Sequence, residues 1–399
     1  MAELKVEKAT GDEMISLGRE LERSAEGGFF ETRTHELLAG RFAALVFVVE
    51  RFPGMPGFAA TIDGRLASKT TAIVADMDAL PSGRRPDGNG PTYAHLCGHH
   101  QQMAVMYGAA RLLKERAPDL LARVAFMATP AEEFVELERR EELRRAGSVR
   151  WLSGKQELIE RGIFAGFRRV IATHSALLPD SRSVNSVVAM NGFDVLRFAF
   201  RGKSAHAGAT PHLGHNAQNA ASLFLQACAF LREGFDEEKH IRIHPILRLR
   251  PDQAVNLIPD AAFVETYARG VDEQTVEETV RRLAAAAAGC AAALGTTVET
   301  ERVRGYAPFA VDRVLHETLR DTAAGLGMEF IEDRFSAASS DMGDVSRQVP
   351  SIIMGLPGTN GLMHQSGFAL TDEQAAYVLG AEVLVSLVQR LLADGGGKA

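Results

Sequence analysis

At 399 residues the chain is long enough for two domains, or for one large domain with an insertion. Hydrophobic residues make up 46% and charged residues 24%, and the net charge of −7 comes with no basic stretch of the kind that tracks a phosphate backbone, which argues against a nucleic-acid partner. No stretch approaches the ~20 apolar residues that span a bilayer, and the longest, Ala43–Val49, lies between Arg41 and Glu50-Arg51 and reads as a buried segment.

Residues 10–52 read mostly as helix, up to the break Pro53-Gly54-Met55-Pro56-Gly57. Phe58–Ile62 and Thr70–Ala75 read as the arms of a hairpin, with Asp63-Gly64 supplying the turn. Helix and strand then alternate: His99–Arg116 helix, Val124–Ala128 strand, Gly154–Arg161 helix, Val170–Thr173 strand. Such alternation predicts an α/β fold, a mostly parallel sheet covered by helices on both faces. From Phe193 the pattern changes to strand (Phe193–Arg201), helix (His215–Arg232), two strands (Ile241–Leu249, Ala262–Arg269), helix (Glu273–Leu294) and strand (Thr297–Arg304). This β-α-β-β-α-β order is that of a ferredoxin-like α+β domain, here inserted at 191–304 between catalytic-domain segments 1–190 and 305–399. The α/β pattern resumes after Pro308 and ends in a long helix, with Thr371 and Gln374 as its capping box and Gly395-Gly396-Gly397 as a frayed tail.

Ligands in open parallel sheets bind outside the carboxyl ends of the strands. Four apolar runs here end in residues suited to a metal ion or an activated water. Thr71–Ala75 leads to Asp76 and Asp78, which share one side of an extended segment. Val124–Ala128 leads to Glu132-Glu133, Val170–Thr173 to His174, and Ser351–Met354 through a Gly-rich loop to His364. At the start of the His99 helix stands Cys97-Gly98-His99-His100. Thiolate and imidazole suit a borderline or soft divalent ion, whereas Mg²⁺ and Ca²⁺ choose oxygen. Adjacent carboxylates in a loop can divide their labour, one holding a metal and the other taking a proton from water. Each signal alone has a bland reading: a solvated acid, a surface charge pair, a hydrogen-bonded core histidine. Their recurrence at equivalent strand ends favours one hydrolytic metal centre.

The segments Ala-Asp-Met-Asp-Ala-Leu-Pro, His-Leu-Cys-Gly-His, Pro-Ala-Glu-Glu and Gly-Lys-Ser-Ala-His-Ala-Gly-Ala-Thr-Pro-His occur in order, followed by Asn-Leu-Ile-Pro-Asp and Ser-Ser-Asp-Met-Gly-Asp-Val-Ser. Together they resemble the aminoacylase and carboxypeptidase-G family of metallopeptidases. The branch is that of the amidohydrolases acting on hippurate, indoleacetyl-amino acids and aminobenzoyl-glutamate. The resemblance runs from residue 75 to 367. It implies Cys97, His99, Glu133, His174 and His364 as ligands of one or two divalent ions (Zn, Mn, Co or Ni), Glu132 as general base and Asp78 as the acid that orients the site. It further implies a lid and dimerisation role for the inserted domain, so that the protein is a homodimer and His206 reaches the partner's active site to stabilise the oxyanion. Asn256 and Arg269 would bind a small substrate, Arg269 through its planar fork on a carboxylate.

Two departures stand out. The branch reads Cys-Gly-His-Asp-x-His, whereas this chain has Cys97-Gly98-His99-His100-Gln101-Gln102, which leaves His100 open as a substitute ligand, a partner of a ligand, or neither. Asp76 is similarly open. The segment Phe134–Glu160 is long and charged, with Glu136–Arg145 reading as a solvated helix or, with Trp151, as a wall of the pocket. The leading expectation is amide hydrolysis in N-acyl or N-aroyl amino acids. The alternatives are hydrolytic deamination of an activated aromatic amine and a silent relative that only binds a ligand. An odd, scattered set of three cysteines (Cys97, Cys228, Cys290) and a start, Met-Ala-Glu-Leu-Lys, without an apolar h-region predict a cytoplasmic protein with no membrane partner.

Overall fold

The computed structural model describes residues 6–84 and 90–393, so the predicted Gly395-Gly396-Gly397 tail lies outside the described residues. The chain divides into two compact units: Met1–Val188 with Ala310–Phe335 and Ser340–Ala399, and Ala189–Phe309 with Ser336–Ser339.

The first unit is built on an eight-stranded sheet. Its order is Val48–Arg51, Phe58–Thr61, Val124–Thr129, Thr71–Asp76, Arg169–Ser175, Ser351–Leu356, Ser183–Val187, Glu329–Asp333. The four central strands, Val124–Thr129 to Ser351–Leu356, run parallel to one another. Every residue of Thr71–Asp76, Val124–Thr129 and Ser351–Leu356 is buried, because helices leave neither face to water. Helix His99–Arg116 packs beneath them, with Met103–Ala110 all buried. All four carboxyl ends therefore open on one edge, where the acids, the cysteine and the histidines collect.

In the second unit one antiparallel sheet carries, in order, Arg242–Ile243 and Ile246–Leu249 together, then Ala261–Gly270, Gly192–Arg201 and Thr297–Arg304. Helices Ala217–Leu231 and Glu273–Ala293 bury Phe224, Cys228, Leu283 and Ala287 against Leu196, Phe198 and Val264.

Several local expectations are corrected. Phe58–Thr61 and Thr71–Asp76 are not a hairpin: Val124–Thr129 lies between them, and a 3₁₀ turn at Leu66–Ser68 makes the connection too wide for a two-residue turn. Asp63 does not serve a hairpin; it accepts from the Lys69 ammonium. The helical stretch breaks into Lys8–Arg23 and Thr32–Ala44, and Val48–Arg51 becomes an edge strand with Val46 70% and Val48 46% exposed, so Ala43–Val49 is not uniformly buried. The run Ile241–Leu249 is interrupted at His244-Pro245, since proline has no amide for a ladder. Asp372, and not Thr371, caps the last helix, accepting from Ala375 N at 3.0 Å. The strand Ser183–Val187 and the hairpin Leu80–Arg84/Pro91–Ala94 had no clear sequence signal. Finally, Gln374–Ala393 is long and apolar enough to cross a bilayer, with mean hydropathy 1.5, contrary to the sequence reading. Because 78% of that stretch is buried inside the fold, it has the surroundings of a core helix.

Candidate metal centre

The site begins where Thr71–Asp76 ends. Asp78, wholly buried, stands between two of the predicted ligands. Its main-chain carbonyl accepts from His99 Nδ1 at 2.8 Å, and its Oδ1 lies 3.3 Å from the same nitrogen. Its Oδ2 accepts from Glu133 N at 2.9 Å. Holding the proton on Nδ1 leaves His99 Nε2 as a lone-pair donor, 4.0 Å from Glu132 Oε2. Gly98, at φ +80°, turns the chain into the helix here, and a Cβ on it would stand 1.9 Å from Ser175 Oγ.

From the neighbouring strands, His174 Nε2 lies 3.4 Å and His364 Nε2 3.3 Å from Cys97 Sγ. His364 Nε2 is also 3.4 Å from Glu133 Oε1, and His174 Nδ1 faces the Ser175 carbonyl at 2.9 Å. Donor atoms of Cys97, His99 and His174, of Cys97, Glu133 and His364, and of His99, Glu132 and Glu133 form groups in which all lie within 4.8 Å of one another. All five predicted ligands and the predicted base thus meet in one place.

A divalent cation fits this cluster. Glu133 Oε1 and His99 Nε2 are buried and make no well-formed hydrogen bond, facing His364 Nε2 at 3.4 Å and Glu132 Oε2 at 4.0 Å, an arrangement that costs free energy unless a cation takes their lone pairs. One thiolate, three imidazoles and carboxylate oxygen are the donor set of a borderline metal such as Zn²⁺, Co²⁺ or Ni²⁺. Burial pushes the Cys97 thiol upward, and the Glu133 charge adds to that. Burial also raises the Glu132 carboxyl well above its usual range, reinforced by the charges of Asp341, Glu133 and Asp76. At His99 burial acts to lower the pKa, but the bond to Asp78 and the neighbouring Cys97 outweigh it and raise it. A cation among these groups reverses the balance for thiol and carboxyl alike.

Asp76 serves a different network from Asp78. Its Oδ1 accepts from Thr129 Oγ1 at 2.7 Å and pairs with the fully buried Lys155, which is also 2.7 Å from Asp341 Oδ1. Lys155 and Asp341 were not singled out from sequence; a lysine at a helix start and an acid in a polar loop carry no local mark of burial. The departure at residues 100–102 is accounted for in part. Gln101 Nε2 donates to the carbonyls of Pro357 (2.8 Å) and Ala376 (3.1 Å), its Oε1 takes the Ser175 hydroxyl, and Gln102 Oε1 accepts from Asp76 N at 3.0 Å. Gln101 ties the ends of two strands together, and Gln102 ties the helix to the end of Thr71–Asp76. His100 belongs to none of the donor groups; its ring packs 5.2 Å from that of His95 and 6.3 Å from that of Tyr377.

The remaining predicted residues belong to the second unit. His206 is exposed, and its Nδ1 accepts from Gly208 N and Ala209 N, each at 3.1 Å, which puts the ring proton on Nε2. Asn256 lies beside it in the backbone, its carbonyl accepting from Ala207 N at 2.9 Å. The Arg269 guanidinium stacks on Tyr267 (4.5 Å) and Phe193 (5.1 Å).

The sequence profile of peptidase family M20/M25/M40 matches residues 72–390. The chain belongs to this family. It is a metal-dependent hydrolase of amide C–N bonds with the α/β fold expected of it. It is 25% identical to the N-acetylcysteine deacetylase of Bacillus subtilis, over 92% of this chain and 94% of that one. It is 26% identical to the indole-3-acetyl-aspartic acid hydrolase of Enterobacter agglomerans, over 71% of this chain and 64% of that one. In fold it is similar to a dinuclear metal-binding M20 peptidase from Bacillus subtilis, with a TM-score of 0.72 at 21% identity over 97% and 99% of the two chains.

Proposed function

We propose that this M20 protein hydrolyses the amide bond of an N-acyl or N-aroyl amino acid bearing a free carboxylate. In this reading Cys97, His99, Glu133, His174 and His364 hold one or two divalent ions and Glu132 is the general base. The observation that carries it is the convergence of those donors around Glu132, with Glu133 Oε1 and His99 Nε2 buried and without a well-formed hydrogen bond.

A bound divalent ion lowers the pKa of a water towards ~7 and polarises the acyl carbonyl. Glu132 takes the proton from the attacking water and returns it to the leaving amine nitrogen. Asp78 holds two ligands at once, the His99 ring and, through the Glu133 amide, the Glu132-Glu133 loop. The His206 Nε2–H donates to the carbonyl oxygen of a substrate bound in the partner protomer while negative charge develops there. Arg269, stiffened by its two aromatic neighbours, takes the substrate carboxylate, and Asn256, next to His206, also contacts the substrate. Relatives named for acetylcysteine and indole-3-acetyl-aspartic acid support this substrate class. Gln101 and Gln102, part of the departure that left room for deamination, are committed to backbone groups and to the Ser175 hydroxyl, which favours the amide reading.

A homodimer fits the surface of the second unit. Leu223 and Phe230, one heptad apart on Ala217–Leu231, are exposed, as are Ile246 and Leu249 on a neighbouring strand. A reducing, cytoplasmic setting fits three buried cysteines that are all free.

The test is turnover of N-acetyl-, N-benzoyl- and indoleacetyl-amino acids, and of anthranilates, after loading with Zn²⁺, Mn²⁺, Co²⁺ or Ni²⁺. Release of the amino acid is expected, with Glu132→Gln keeping bound metal while kcat falls roughly 10²–10⁴-fold. Ammonia from anthranilates without amide hydrolysis would establish deamination instead. No metal uptake and no turnover would mean a silent ligand-binding relative.

A further inference from the structure

The charged segment after Glu133 does more than face solvent. Its helix Leu137–Arg145 sends Arg140 inward, and that side chain is among the largest fully buried ones in the protein. Arg140 Nη1 donates to the carbonyls of Leu152 (2.9 Å) and Ala131 (3.2 Å), and Nη2 lies 3.7 Å from Asp78 Oδ2. The opposite side of the Ala131 residue is held as well: its amide donates to Oε1 of the wholly buried Glu31 at 2.8 Å. Ala131 is at φ +57°, a left-handed backbone that an alanine adopts only where its surroundings hold it. Gly28 makes room for the guanidinium, since a Cβ there would stand 2.2 Å from Arg140 Nη2. The helix itself is anchored by Glu136 on the Tyr93 hydroxyl (3.0 Å) and by Arg139 over the Phe30 ring (3.2 Å).

We propose that Glu31 and Arg140 are positioning residues that clamp the main chain before Glu132, while Arg140 also steadies Asp78 behind His99 and Glu133. Neither touches substrate; they act through the two carboxylates of the loop and the acid that orients the ligands. Buried polar groups are costly unless hydrogen-bonded, and here a guanidinium and a carboxyl that burial raises well above its usual range each spend a bond on one strained residue beside the reacting groups. A lysine at 140 would supply charge but not the fork that reaches two carbonyls and a carboxylate together. This inference rests on the metal-centre reading above.

The experiment is Co²⁺ titration of the metal-stripped protein followed by its visible spectrum, alongside apo-protein melting, for wild type, Arg140→Lys and Glu31→Leu, the latter removing the acceptor for the Ala131 amide. Leu137→Ala, a cavity in the same helix, is the matched control for simple destabilisation, and the exposed Arg145→Gln is the inert one. Both clamp variants should bind Co²⁺ about 10- to 100-fold more weakly with altered band intensity, and lose kcat more than they change KM. Leu137→Ala should melt earlier with unchanged Co²⁺ affinity. Affinity and spectrum moving no further in the clamp variants than in Leu137→Ala would overturn the proposal and leave a structural role. If Arg140→Lys does not fold, Glu31→Leu decides by the same criteria. Wild-type protein that binds no Co²⁺ would overturn the metal-centre reading, an outcome distinct from wild-type binding with unaltered variants.

Discussion

Asp63 and Lys69 illustrate how a single residue's setting converts into stability. The Lys69 side chain is buried, and its ammonium donates to Asp63 Oδ1 at 2.6 Å and to the Ala122 carbonyl at 3.0 Å. The Lys69 bond, with help from Arg65, pulls the Asp63 carboxyl from 3.8 down to about 2. A depressed carboxyl contributes its stabilisation above the unfolded-state value near 3.9 and loses it as pH falls through about 2. At 1.36 kcal/mol per unit, and discounted because Asp63 remains 24% exposed, the contribution is about 1–2 kcal/mol. Asp63→Asn should therefore cost that much in urea unfolding at pH 7, and the deficit should shrink as pH is lowered from 4 to 2. A deficit constant down to pH 2 would show that the pair is not the source. The pair was unreadable in sequence because Asp63-Gly64 has the composition of a hairpin turn, whereas residue type at His174, His364 and Cys97 already carried the chemistry.

At the scale of elements, the helix His99–Arg116 and the four central strands follow from local pattern alone: continuous apolar runs of strand length, and a small-residue helix between them. What pattern could not supply was pairing, since a strand's neighbour is chosen by contacts distant in sequence; hence Val124–Thr129 separates two strands that looked like a hairpin. Close packing between elements is equally invisible. Gly154, at the start of Gly154–Glu160, presses on the loop that carries Glu132: a Cβ there would stand 1.9 Å from the Pro130 carbonyl oxygen. Backbone is on the receiving side, so the loop itself has to move. Gly154→Ala should lower stability by about 1–3 kcal/mol, the usual cost of overpacking, and should reduce kcat because Pro130 precedes Glu132 by two residues. A melting temperature and kcat both equal to wild type would show that the loop absorbs the methyl without consequence.

For the whole molecule, the proposed roles of Glu132 and His206 fall on different units of the chain. If His206 acts in trans within a symmetric homodimer, Glu132→Gln and His206→Ala are each inactive alone but complement when protomers exchange. Half of the mixed dimers would be heterodimers with one intact site of two, restoring about a quarter of wild-type activity by the isologous symmetry of a twofold pair. Sedimentation would verify the dimer, and no recovery despite demonstrated exchange would place His206 in cis or outside the reaction.

By itself the sequence determined the α/β frame and the β-α-β-β-α-β order of the second unit, and its family motifs pointed to Cys97, His99, Glu133, His174 and His364 as expected donors with Glu132 among them. These are legible because apolar runs, their lengths and the residue types that end them are local properties. Only the tertiary structure decided which charges leave water. Arg140 sat in a stretch that read as a solvated helix, and Lys155, Asp341 and Glu31 carried no local mark of burial; all four are buried. Burial of an ion is settled by partners that lie elsewhere in the chain (Asp78 for Arg140, Asp76 and Asp341 for Lys155, the Ala131 amide for Glu31), and the spacing of charges along a sequence does not record who those partners are.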